Sequence, residues 1–98
     1  MLYLSKGFID RWEGVFMRLD KYLKVSRIIK RRTVASEAAS LGRIAINGKT
    51  AKPASEVKEG DVLDILMGGK HLFVRVLSVQ EHAAKADAAL MYEILPNG

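Results

Sequence analysis

The chain has no cysteine, only two prolines and a single tryptophan in 98 residues. Without cysteine no disulfide framework or thiolate metal site can form, which predicts a reducing, cytoplasmic setting. No apolar run approaches the roughly 20 residues that a membrane-spanning helix requires, so no membrane partner is predicted. The two histidines, His71 and His82, stand apart without acidic or sulfur companions at ligand spacing, and no metal site is predicted. No nucleophile, base and orienting group assemble from Ser5, Ser26, Ser36, Ser40, Ser55, Ser78 and those histidines. The expectation is therefore no enzyme, no cofactor and no small-molecule substrate.

Acid is also short relative to base. Sixteen Lys and Arg face eleven Asp and Glu, a net charge of +5 that attracts polyanions. A hydrophobic content of 49% supplies enough apolar surface for a folded chain rather than a disordered basic tail. The length suits one small domain.

Between Arg18 and Arg32 seven basic residues, Arg18, Lys21, Lys24, Arg27, Lys30, Arg31 and Arg32, stand against the one acid Asp20. Such a density of fixed positive charge beside an apolar face is what a polyphosphate ligand needs. Leu19, Tyr22 and Leu23 fall at i, i+3 and i+4 and predict a helix with that face toward the core. Positions 18, 21, 24, 27 and 30 repeat every three residues, so on a straight helix they drift about 60° per step. One unbroken helix cannot aim them at one ligand, and a break is predicted near Ser26 to Arg32, with Ser26 or Thr33 capping the second helix. Val34, Ala35, Ala38, Ala39 and Leu41 form a second amphipathic set, which Gly42 ends.

Strands are expected after Gly42. Ile44 and Ile46 alternate with Arg43 and Ala45, and Asn47-Gly48 is a strong hairpin signal because both turn residues tolerate positive φ. Lys49 to Lys52 reads as a brief return strand closed by Pro53. Val62 to Leu66 meets Gly68-Gly69 and returns as His71 to Val79, with Leu72, Val74 and Val76 on one face and Phe73, Arg75 and Leu77 on the other. Residues 83 to 90 predict a short helix and Met91 to Leu95 a last strand. The fold class is α+β, helices first and then a small curled sheet.

Several spaced motifs resemble one family. Arg18-Leu19-Asp20-Lys21-Tyr22-Leu23-Lys24, then Arg27, Ala35-x-x-Ala38, Gly42-Arg43-Ile44-x-Ile46-Asn47-Gly48 and Val57-x-x-Gly60-Asp61 resemble the S-four-type RNA-binding domain. That domain is named for ribosomal small-subunit protein four and recurs in pseudouridine synthases. The likeness spans about Arg18 to Leu66. The stretch from Lys85 to Leu95 is similar to the carboxy-terminal end of the RqcP (formerly YabO) family of bacterial ribosome-associated quality control, a likeness that begins at Met17.

The resemblance implies two or three N-terminal helices packed on a small curled antiparallel sheet, the alpha-L RNA-binding motif. It implies a non-catalytic factor that binds the large ribosomal subunit with stalled peptidyl-tRNA, touches 23S rRNA and tRNA, and assists alanine tailing by an RqcH-like partner. By the same resemblance Arg18, Lys21, Lys24, Arg27, Lys30, Arg31 and Arg32 clamp phosphates, and Arg43, Asn47 and Lys52 extend the surface along the first hairpin. Asp20, inside the cluster, is expected to orient Arg18 or a neighbouring amide. Three alternatives stay open: a fifteen-kilodalton-heat-shock-protein-like recycler of blocked large subunits, the RNA-binding module of an rRNA-modifying enzyme, and a DNA-binding helix-turn-helix over residues 19 to 30 and 33 to 41.

Residues 1 to 16 stand outside this pattern, and 17 to 98 are expected to form a single RNA-binding domain with a short C-terminal extension. Lys6, Asp10, Arg11 and Glu13 interrupt any signal-peptide core. Trp12-Glu13-Gly14 must be encoded by UGG-GAR-GGN, a purine-rich string just before the Met17 codon that resembles a ribosome-binding site. Residues 1 to 16 are thus expected to be a mistranslated leader, against the plainer alternative of an extra amphipathic helix. Intact-mass measurement of the natively expressed protein is expected to find a species beginning at Met17, and one beginning at Met1 would end the leader reading.

Overall fold

Leu19, Tyr22 and Leu23 are fully buried in the computed structural model, which describes residues 16–81 and 83–96. The expected leader, apart from Phe16, lies outside the described residues, as does His82. The short strand β1 (Met17–Arg18) leads directly into helix α1 (Leu19–Val25). The first amides of α1 are satisfied from outside the helix, Leu19 donating to the Ser55 carbonyl (2.8 Å) and Asp20 to that of Pro53 (3.2 Å).

The helix breaks where the three-residue spacing of cations requires it. Ser26 caps the C-terminus and Arg27 follows with φ +64°, the left-handed conformation that usually falls to glycine at this position. Ile29 then turns back into the core, its amide donating to the Leu23 carbonyl at 3.1 Å. Helix α2 (Arg32–Ser40) starts after Arg31, which has extended dihedrals and makes no side-chain cap.

Two expectations are corrected here. Thr33 lies within the first turn instead of capping it, and Ser26 closes α1 rather than opening α2. Arg32 is drawn onto Asp20 at 3.4 Å, and the cap falls at Arg31, two residues earlier than Thr33. Val34 and Leu41 are exposed, and the buried stripe of α2 is Ala35 and Ala39. Small side chains at i and i+4 let α2 lie close on α1, so only a narrow face turns inward. The predicted stop holds: Gly42, with φ +77°, donates to Ala39 and Arg43 to Ala38, the paired bonds of a Schellman ending.

Strand β2 (Ile44–Ile46) turns through Asn47 and Gly48, with φ of 51° and 85°, into β3 (Lys49–Thr50). The return is shorter than expected because the Lys52 amide turns to the Ser55 hydroxyl at 2.8 Å. Strand β4 (Glu56–Val57) pairs with β1, a two-residue ladder too short to leave a sequence pattern. Strands β5 (Val62–Met67) and β6 (Lys70–Val76) form the second hairpin across Gly68-Gly69. Helix α3 (Lys85–Ala88) and strand β7 (Tyr92–Leu95) complete the described chain. The main sheet runs β3-β2-β5-β6-β7, antiparallel throughout.

The register aligns the core. Ile44 pairs with Ile65 and Leu63 with Val74, and these four, with Val76, are buried against Leu19, Tyr22 and Leu23. The result is a small α+β domain with antiparallel sheets. A pair of helices precedes the main sheet, and the third helix sits between β6 and β7. Tyr22 ties the two ends together: its hydroxyl donates to the Met91 carbonyl at 2.8 Å, and the Leu77 and Ser78 amides donate to the same oxygen at 2.7 and 3.2 Å. Burial, with a smaller effect from Tyr92, pushes the Tyr22 phenol well above its usual range, so it remains a donor.

Leu23→Ala is expected to remove roughly 2–5 kcal/mol of stability through the cavity it opens. Tyr22→Phe is expected to remove about 1 kcal/mol by deleting one buried hydrogen bond, the Met91 carbonyl keeping the Leu77 and Ser78 amides. Urea denaturation of the two variants checks both values.

Candidate nucleic-acid interface

Asp20 is the only acid in the basic run and is almost completely buried. Its carboxylate receives Nε and Nη2 of Arg18 at 3.2 and 3.1 Å, Nη2 of Arg32 at 3.4 Å and the Lys21 amide at 2.7 Å. The two guanidinium groups stay open to solvent, with side-chain exposures of 53% and 46% against 5% for the acid. One buried anion therefore holds two cations from either side of the helix break. Among the described residues, Nη1 of Arg18 and most of the Arg32 fork have no acceptor and can donate outward.

Burial alone would raise the Asp20 carboxyl. The Arg18 hydrogen bond, the nearby Arg32 and Arg18 charges and the Lys21 amide outweigh it and hold the group below the usual carboxylate range. The same region is unfavourable for α2 itself, whose first turn has no acid while Arg31 and Arg32 stand at its start. Cations at the positive end of a helix dipole weaken the helix and strengthen the outward positive potential.

A second group lies one turn further along α1. Lys24, Arg27 and Lys30 line a cleft of about 500 Å³ whose fourth wall is Lys85 of α3. Lys21 sits between the two groups, half-buried, with its ammonium on Glu81. Glu81 also lines a shallower hollow beside Lys24 and Arg27. Lys85 was not among the sequence candidates. It is the sole base in an alanine-rich stretch, and only the return of the chain past β6 brings it to α1.

The remaining candidates are placed elsewhere. Arg43 lines a separate depression with Leu66, Gly68 and Gly69 at the end of the second hairpin. Lys52 is exposed on the turn whose carbonyls receive the first amides of α1, close to Arg18 in the fold. The Asn47 side chain donates to Asp61 and accepts from the Val62 amide, each at 3.0 Å, so it locks the hairpin to the start of β5. Among the described residues no group of three or more His, Cys, Asp or Glu could hold a metal ion, and no helix is long and apolar enough to cross a membrane.

The S4 domain model matches residues 17–63. An "RQC P-site tRNA stabilizing factor" of Listeria innocua is 58% identical over 81% of this chain and 86% of its own length. The factor of the same name from Bacillus subtilis is 54% identical over 81% of this chain and 92% of its own. The solved trimeric structure of Vibrio cholerae Heat Shock Protein 15 superposes with a TM-score of 0.75 at 25% identity, covering 82% of each chain.

The depressed Asp20 carboxyl fixes the sign of one pH effect. Its stabilising contribution is complete above the unfolded-state pKa of about 4 and is lost as pH falls through the lower folded-state value. Wild-type stability measured by urea between pH 6 and pH 2.5 is expected to carry this acid-side loss. Asp20→Asn is expected to start lower at pH 6 and to show a shallower fall.

Proposed function

The chain belongs to the family of RQC P-site tRNA stabilizing factors and carries an S4 domain, and on that premise we propose that it is a non-catalytic RNA-binding factor of ribosome-associated quality control. It binds the large ribosomal subunit carrying stalled peptidyl-tRNA, with 23S rRNA and tRNA as its ligands. Its protein partner is an RqcH-like protein whose alanine tailing it assists, and it acts in the cytoplasm.

The observation that supports this most directly is the gathering of Arg18 and Arg32 on buried Asp20 with their donor edges outward. Holding the two side chains in place before RNA arrives removes part of the ordering cost of binding. Each guanidinium offers a planar fork to a phosphate, and the lysines add compact charge beside it. Lys21, Lys24, Arg27, Lys30 and Arg31 continue the surface across the helix break. Arg43 and Lys52 extend it toward the hairpins, and Asn47 shapes the turn between them. RNA helices are gripped mainly through phosphates and 2′-hydroxyls, which suits a site made of cations with few base-reading groups.

The likeness to Heat Shock Protein 15 favours a second reading, recycling of blocked large subunits. It ranks behind the first because identity is 54–58% to the P-site factors against 25–36% to Heat Shock Protein 15 relatives.

Co-sedimentation with large subunits carrying P-site tRNA is expected to weaken by about a thousandfold between 50 and 200 mM salt if about six phosphates are neutralised. Arg32→Ala is expected to lower the association about tenfold, with a far smaller shift in unfolding midpoint than Leu23→Ala. Tighter binding to duplex DNA than to subunits or tRNA would overturn the reading in favour of a DNA-binding protein.

A further inference from the structure

Lys24, Arg27, Lys30 and Lys85 converge on one cleft, and among the described residues none of the four is in an ion pair. Arg18, Lys21 and Arg32, by contrast, each have an acid. Four like charges lining one concave space repel one another, a cost that Glu81 in the adjoining hollow beside Lys24 and Arg27 offsets in part and an entering anion would offset further. Arg27 adds an independent sign. It holds φ at +64°, where glycine would be unstrained, so a long cation is kept at the one position of the loop where a side chain is least welcome.

We propose that this cleft is a second grip on RNA, adjoining the Arg18–Asp20–Arg32 site, and that Lys85 makes the C-terminal segment part of the RNA-binding surface. The ligand is a run of phosphodiesters, because each carries a single negative charge and several are needed to balance four cations. Two cationic sites on one rigid scaffold let the protein hold two stretches of backbone at once, and each engagement raises the effective concentration at the other. The inference rests on the RNA reading above and adds to it a place, an element and a residue.

The test is association of the full chain with purified large subunits carrying P-site tRNA, measured from 50 to 200 mM potassium chloride. Lys85→Ala is expected to reduce the slope of log affinity against log salt by about 0.7–0.9, the release expected for one phosphate contact. Lys85→Arg is expected to restore the slope, and neither substitution is expected to move the unfolding midpoint. Arg27→Gly is expected to lose a similar part of the slope while its urea midpoint equals or exceeds that of wild type. A Lys85→Ala slope equal to wild type overturns the cleft, and so does competition by nucleoside triphosphate in the wild type that disappears in Lys85→Ala. If the wild type shows no salt-dependent association at all, the RNA reading itself falls. If wild type and Arg32→Ala behave as described and Lys85→Ala matches wild type, only the cleft falls.

Discussion

The proposed binding surface depends on one almost completely buried carboxylate. Asp20, in the first turn of α1, joins that helix to the start of α2, its oxygens fixing Arg18, Arg32 and the Lys21 amide together. Exposed ion pairs contribute little because solvent screens them and side-chain entropy opposes them. Here the acid is buried and multiply bonded while the bases are half open, so the pairing defines geometry more than it adds stability. The arginines cannot swing away without leaving a buried charge unmatched.

Around that joint the fold accepts several local penalties. A left-handed arginine ends α1, two arginines stand at the positive end of α2, and four cations that form no ion pair among the described residues share a cleft. Local choices in a sequence usually agree with the fold, and the exceptions collect where function requires them. The sheet shows fewer such conflicts. Its hairpins turn on residues suited to positive φ, and its register puts Ile44, Leu63, Ile65 and Val74 together in the core. The scaffold is conventional so that the joint need not be.

Most of the sheet was legible in the chain, because Asn47-Gly48 and Gly68-Gly69 carry backbone requirements that few other pairs satisfy. The break between α1 and α2 was legible too, since cations every third residue cannot face one way on a straight helix. The features that escaped depended on contacts distant in sequence. The β1–β4 ladder spans two residues and has no periodicity. The cap of α2 moved from Thr33 to Arg31, with Arg32 held by an acid twelve residues away. Val34 and Leu41 read as core, yet the neighbouring helix leaves room only for Ala35 and Ala39. Lys85 joined the cationic cleft through the Tyr22 hydroxyl and the Met91 carbonyl, which bring the C-terminal segment to α1.

The margins of the main sheet have a consequence of their own. Its outermost strands are β3, two residues long with Pro53 soon after, and β7, four residues long and followed by Pro96. Neither offers a long row of unpaired amides to a neighbouring molecule. For a factor whose proposed post is beside unfinished polypeptides, such margins give stray strands little to zip onto.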